Sequence, residues 1–150
     1  MDIRSLVVDY LSQATLMQVA TSRDDKPWVC SVYFAFDDKC NLYWISSTSR
    51  RHSQELRNNE HVAGAIVLPH TMGDKVRGLQ FEGVAKEITD QKSAADAMQW
   101  YAKRFGLPED RVKRIVENTD GHVVYMITPL SYVLFDEVNF PDNPRQEYRL

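Results

Sequence analysis

Residues 15–46 read TLMQVATSRDDKPWVCSVYFAFDDKCNLYWIS, and the period of this stretch decides the fold. Thr15 to Ser22 is short, apolar and tolerant of extended backbone. Arg23-Asp24-Asp25-Lys26-Pro27 punctuates it as a turn. Trp28 to Phe36 is rich in β-branched and aromatic side chains, which fit a pleated surface. Asp37-Asp38-Lys39 forms the next turn, and Asn41 to Ser46 is a further strand. Three strands joined by such short turns predict an antiparallel meander.

Outward from this core the period changes. Ile3, Leu6, Val7, Tyr10 and Leu11 recur at helical spacing, with Asp2 placed to cap the helix. Ser49 to Asn58 reads as a short helix entered through a serine-rich loop. Val62 to Leu68 and Val76 to Ile88 read as strands, and Gly78 and Gly83 in the second mark bulges or close approaches. Asp90 caps a helix with an apolar face of Ala94, Ala97, Met98, Tyr101 and Phe105, which ends at Gly106. Pro108 opens a weaker helix. Val123 to Val138 reads as strand interrupted at Pro129, and the tail from Phe140 is polar. No linker or repeat divides residues 1–150, so a single domain is expected. Roughly six strands with helices outside predict a mainly β fold, a small barrel rather than a doubly wound sheet.

The chain has 150 residues, 43% of them hydrophobic and 26% charged, which is enough apolar material for a packed core. A net charge of -3 gives no global positive field for nucleic acid or an anionic membrane, so neither partner is expected. The start Met1-Asp2-Ile3-Arg4 lacks the pattern of a secretory leader, and no segment has the length of a membrane span. Cys30 and Cys40 read as two thiols of a reducing cytoplasm, with a disulfide between them the alternative.

The loop Ser46-Ser47-Thr48-Ser49-Arg50-Arg51-His52 carries the most chemistry. It leaves a strand, offers four successive hydroxyls and enters a helix with two arginines and a histidine. Hydroxyls, free backbone N–H groups and guanidinium forks match a phosphate monoester. Spacing alone does not separate this from an ordinary helix start with solvated arginines. In Arg77-Gly78-Leu79-Gln80-Phe81-Glu82-Gly83, alternation puts Gln80 on the face of Gly78, where its amide meets either a heterocycle edge or solvent. Among many aromatic residues, Trp44 directly precedes the serine loop and is the candidate to line a ring. Nucleophile-elbow, zinc-protease, phosphate-loop and dinucleotide motifs are absent, and the four histidines are scattered, so no metal site is indicated. A chain without its own catalytic set draws reactivity from a cofactor.

Three blocks, Met17–Thr21 with Pro27–Phe34, Leu42–His52 continuing to Asn59, and Val76–Ala85, resemble the pyridoxamine 5′-phosphate oxidase-like family in order and spacing. The tail from Val133 adds a weaker match, most like an uncharacterised branch. The resemblance implies a six-stranded antiparallel split β-barrel of Greek-key type with peripheral helices, and a homodimer holding FMN between protomers. Carried over by position, Trp28, Val29, Cys30 and Ser31 belong to the strand running along the isoalloxazine, with Trp44, Ile45 and Ser46 flanking it. Ser49, Arg50 and Arg51 hold the phosphate, His52 stands close by, and Gln80 comes from the neighbouring strand or the other protomer. The oxidase proper has a basic residue where this chain has Trp28, and its substrate-gripping residues and C-terminus are not evident, so pyridoxal phosphate synthesis is not expected. The function implied is an FMN-dependent oxidoreductase of a small molecule. The alternative is a module that binds or senses flavin, deazaflavin or haem without turnover.

Overall fold

Asp24 and Asp25 both adopt positive φ, 51° and 59°. Two such residues make the tight turn whose twist matches paired strands. They join β1 (Leu16–Arg23) to β2 (Lys26–Tyr33), antiparallel from Arg23 opposite Lys26 to Leu16 opposite Tyr33. The computed structural model of the protein describes residues 2–150. Its other strands are β3 (Ala35–Phe36), β4 (Leu42–Ser47), β5 (His61–Val67), β6 (Arg77–Glu87), β7 (His122–Asp136) and β8 (Arg145–Arg149). Its helices are α1 (Ile3–Gln13), α2 (Arg51–Leu56), α3 (Gln91–Phe105) and α4 (Glu109–Val116).

The strands form one antiparallel sheet in the order β2-β1-β5-β6-β7-β4-β3, with β8 added to β7. The two ends of this path, β2 and β3, are separated in the chain by Phe34 alone. A sheet whose ends are one residue apart must roll up. Phe34 donates its N–H to the Thr15 carbonyl at 3.2 Å and buries its ring completely. The roll is not sealed: β2 and β4 face each other without pairing, and the barrel is split there. This corrects the expected meander, because β4 pairs with β3 and β7 rather than with β2. It also raises the strand count from six to eight. The predicted strand Trp28–Phe36 is two, broken where it crosses the split.

Inside the barrel, Met17 and Val19 of β1 meet Leu79 and Phe81 of β6 and Tyr132 and Leu134 of β7. α1 plugs one end with Leu6, Val7, Tyr10 and Leu11, the stripe its spacing predicts, and Asp2 accepts the Ser5 N–H at 3.3 Å. α3 and α4 cover the outer face of β3, β4 and the start of β7 through Ala97, Met98, Tyr101 and Ile115. α3 begins where Asp90 accepts the Ser93 N–H at 2.8 Å and ends at Gly106 with φ 65°. Among the described residues no such layer lies over the outer face of β1-β5-β6 and the start of β2, where Val29 and Val67 are more than half exposed. Pro129 does not interrupt β7. It sits where the β6–β7 register shifts, opposite Gly83, the kind of irregularity at which a strand accommodates a residue without an N–H.

Candidate functional site

The turn that builds the β1–β2 hairpin also decides what β2 presents to the split. In a two-residue hairpin the residues flanking the turn, Arg23 and Lys26, form a hydrogen-bonded pair, and such pairs alternate along the ladder. Pro27, Val29, Ser31 and Tyr33 therefore turn their backbone groups to the open edge. Pro27, with no N–H to offer, falls on that side as it should. A groove of about 490 Å³ runs along this edge. Ser31 and Tyr33 form one wall, Ile45 and His122 the other, and Tyr101 and Phe105 of α3 the roof. The Tyr33 and Phe105 rings meet edge to face at 5.7 Å. His122 Nδ1 lies 2.9 Å from the largely buried Asp120 carboxylate, which leaves Nε2 outside that contact.

β4 leads from Ile45 directly into the hydroxyl–arginine loop. Ser47 and Ser49 hydroxyls lie 2.9 Å apart, and the Arg50 N–H donates to the Ser47 carbonyl at 3.2 Å. Arg50 precedes α2 in extended backbone, and its guanidinium is exposed. With six residues, α2 has little dipole, so attraction for an anion here must come from side chains. Arg51 Nε donates to Glu55 Oε1 at 2.8 Å, and its guanidinium carbon lies over the Trp28 ring, 4.3 Å from its centre. Glu55 is 4% exposed, and its other oxygen accepts the Thr21 hydroxyl at 2.5 Å. Burial alone would raise its pKa, but the hydrogen bonds from Thr21 and Arg51 outweigh this and hold it below the usual carboxylate range. Ser46 Oγ and His52 Nε2 lie 2.8 Å apart and both are buried. Burial and the charge of Arg50 push the imidazole below its ordinary value, against the pull of Glu55. Burial thus favours the neutral imidazole, and His52 serves the loop as a hydrogen-bond partner of Ser46.

The structure brings Trp28 to Arg51 and sets Ser31 across the groove from Ile45. Other predicted residues lie elsewhere. Trp44 is 1% exposed and stacked on Tyr125 inside the barrel, with ring centres 4.9 Å apart, so its side chain lines no surface groove. Cys30 is half-buried on the inner face, where burial pushes its thiol pKa up, and both cysteines are free. Val29 and Gln80 sit on the uncovered outer face, Gln80 in a depression bordered by Ala65, Glu82 and Arg145. Within one chain Gln80 is therefore apart from the groove. Sequence reasoning missed Tyr101, Phe105, His122 and Glu55. Only Glu55 had a local signal, its position four residues after Arg51.

The family profile of pyridoxamine 5′-phosphate oxidase matches residues 3–132, and the chain belongs to this family of split-barrel proteins. Within it, the chain is similar to UPF0306 proteins: 34% identical over 83 residues to one of Pasteurella multocida, covering 55% of this chain and 56% of that protein. It is 27% identical over 145 residues to one of Klebsiella pneumoniae, covering 95% and 87%. The chain thus matches little more than half of the first relative's length and most of the second's. Among solved structures, a conserved hypothetical protein of Mycobacterium tuberculosis superposes with a TM-score of 0.77 at 19% identity, over 94% of this chain and 88% of that one. HutZ, the haem storage protein of Vibrio cholerae, does so with 0.67 at 18% identity, over 86% and 91%. These two likenesses are of fold.

Proposed function

We propose that the chain binds FMN along the split between β2 and β4, at the interface of a cytoplasmic homodimer, and works as an oxidoreductase of a small molecule. The observation that carries this reading is the unpaired edge of β2, which faces a part-aromatic groove walled by β4, the strand that continues into the hydroxyl–arginine loop. An isoalloxazine is a flat apolar body with alternating donors and acceptors along its pyrimidine edge, and a free strand edge offers the complementary row. Ser31 and Tyr33 would supply that row through their backbone. The phosphate needs fixed donors and positive charge, which Ser49, Arg50 and Arg51 supply. The bound flavin would provide hydride or electron transfer. The chain's own contribution is to bind it, orient it and exclude water. The uncovered face of β1-β5-β6 and the start of β2 supports the homodimer. A second copy would bring its own Gln80 to a place that this chain's Gln80 does not reach.

A second reading has haem in the same groove. His122, with Nδ1 beside Asp120, has the arrangement of an imidazole ligand fixed by a carboxylate, and HutZ shares the fold. Absorption spectra of the purified protein after incubation with FMN or with haemin separate the two. Uptake of FMN, with bleaching by reduced nicotinamide under anaerobic conditions, is expected. A Soret band that disappears in His122→Ala, with no uptake of flavin, would replace the flavin reading with haem.

A further inference from the structure

Arg51 is held from three elements at once. Its Nε donates to Glu55 one helical turn on, its guanidinium carbon sits over the Trp28 ring from β2, and Glu55 is itself fixed by Thr21 of β1. Thr21 and Trp28 are directly opposite in the hairpin, so one rung of the sheet supports both sides of the clamp. The Arg51 side chain remains 48% exposed while the carboxylate it meets is 6% exposed. Among the described residues the Arg51 fork makes this one hydrogen bond, through Nε, so its two terminal nitrogens are uncommitted donors on a half-exposed side chain.

We infer that Glu55, Trp28 and Thr21 are positioning residues that preset Arg51 for the phosphate of FMN and make the site selective for the phosphorylated flavin; this rests on the flavin reading above. An arginine free in solvent must give up rotamer freedom when it grips a phosphate, whereas a clamped one has already done so. The charge balance sharpens the point. Arg51 and Glu55 neutralise each other, so Arg51 contributes directed donors and little net charge, while the exposed Arg50 contributes the charge. Removing the Glu55 carboxylate makes the site more positive. Charge alone then predicts tighter phosphate binding, and positioning predicts weaker binding.

The test is titration of the full chain and its variants with FMN and with riboflavin, which lacks the phosphate. Glu55→Met removes the acceptor at similar volume, Trp28→Leu removes the stacking surface, and Glu55→Gln keeps an acceptor. The expected result is an FMN dissociation constant raised about tenfold in Glu55→Met and in Trp28→Leu, riboflavin changed by less than about twofold, and Glu55→Gln near the parent. Trp28 lies on an exposed edge strand, so its variant reports even if Glu55→Met fails to fold. FMN binding unchanged or tighter in these variants, with the parent still preferring FMN to riboflavin, would overturn the inference and leave the flavin site standing. A parent chain that takes up neither flavin overturns both.

Discussion

Asp136 shows how much one buried group holds at the end of β7. It has no exposure, accepts the Tyr10 hydroxyl at 2.5 Å, and accepts the N–H groups of Val138 and Asn139 at 3.0 and 2.9 Å. The Asn139 amide adds another at 2.7 Å. These bonds join α1 to the turn that leads into β8. Burial alone would raise the Asp136 pKa, and the hydrogen bonds reverse this to below the ordinary value. Its folded pKa lies below its unfolded one, so its stabilisation is complete above about pH 4 and is lost as pH falls through the folded value. Asp136→Asn is expected to cost about 3 kcal/mol at neutral pH by urea unfolding and to flatten the acid limb of stability; Tyr10→Phe should cost about 1–2 kcal/mol. An acid limb equally steep in Asp136→Asn would show that other carboxylates dominate it.

At the scale of elements, local signals were legible and pairings were not. α1 and α3 were readable with their caps because Asp2, Asp90 and Gly106 act within a few residues of themselves. Asp90→Ala should lower the thermal unfolding midpoint, as loss of an N-cap does. The hairpin turn was readable for the same reason. By contrast, β4 leaves its sequence neighbour β2 for β7, about eighty residues away, and no period in either strand encodes that choice. β8 escaped notice because its alternation, Arg145 to Arg149, has a polar outer row and follows two prolines. Pro129 misled because a bulge opposite Gly83 absorbs it. Gly64 is a requirement of β5. A Cβ there would stand 2.2 Å from the Phe81 ring and 2.3 Å from the Gln18 carbonyl, a backbone atom that cannot move aside. Gly64→Ala is expected to lower stability by about 2 kcal/mol or more, measured by chemical denaturation. The site divides along the same line: the loop from Ser46 to His52 was visible as a run, while His122 comes beside Ser47 only through the β4–β7 pairing.

For the whole molecule, the decisive feature is a sheet rolled so that its two ends share Phe34 and leave a split. Helices cover one outer face and leave the other bare, with small residues such as Ala63 and Ala65 amid exposed Val29 and Val67. The homodimer proposed above would place a second copy on that face in a two-fold, self-complementary interface. If the proposed homodimer forms through this face, Ala65→Arg, a long cation at its centre, should give a monomer in light scattering where the parent gives a dimer, and lower flavin uptake with it. The central claim is that the split holds FMN by its phosphate at the hydroxyl–arginine loop. Fluorescence titration of the parent and of the Arg50→Ala, Arg51→Ala double variant with FMN and riboflavin tests it most directly. The account predicts saturable binding of FMN by the parent and a loss of about a hundredfold in the variant, with riboflavin nearly unaffected. No binding of FMN, or an equal loss for both flavins, would contradict it.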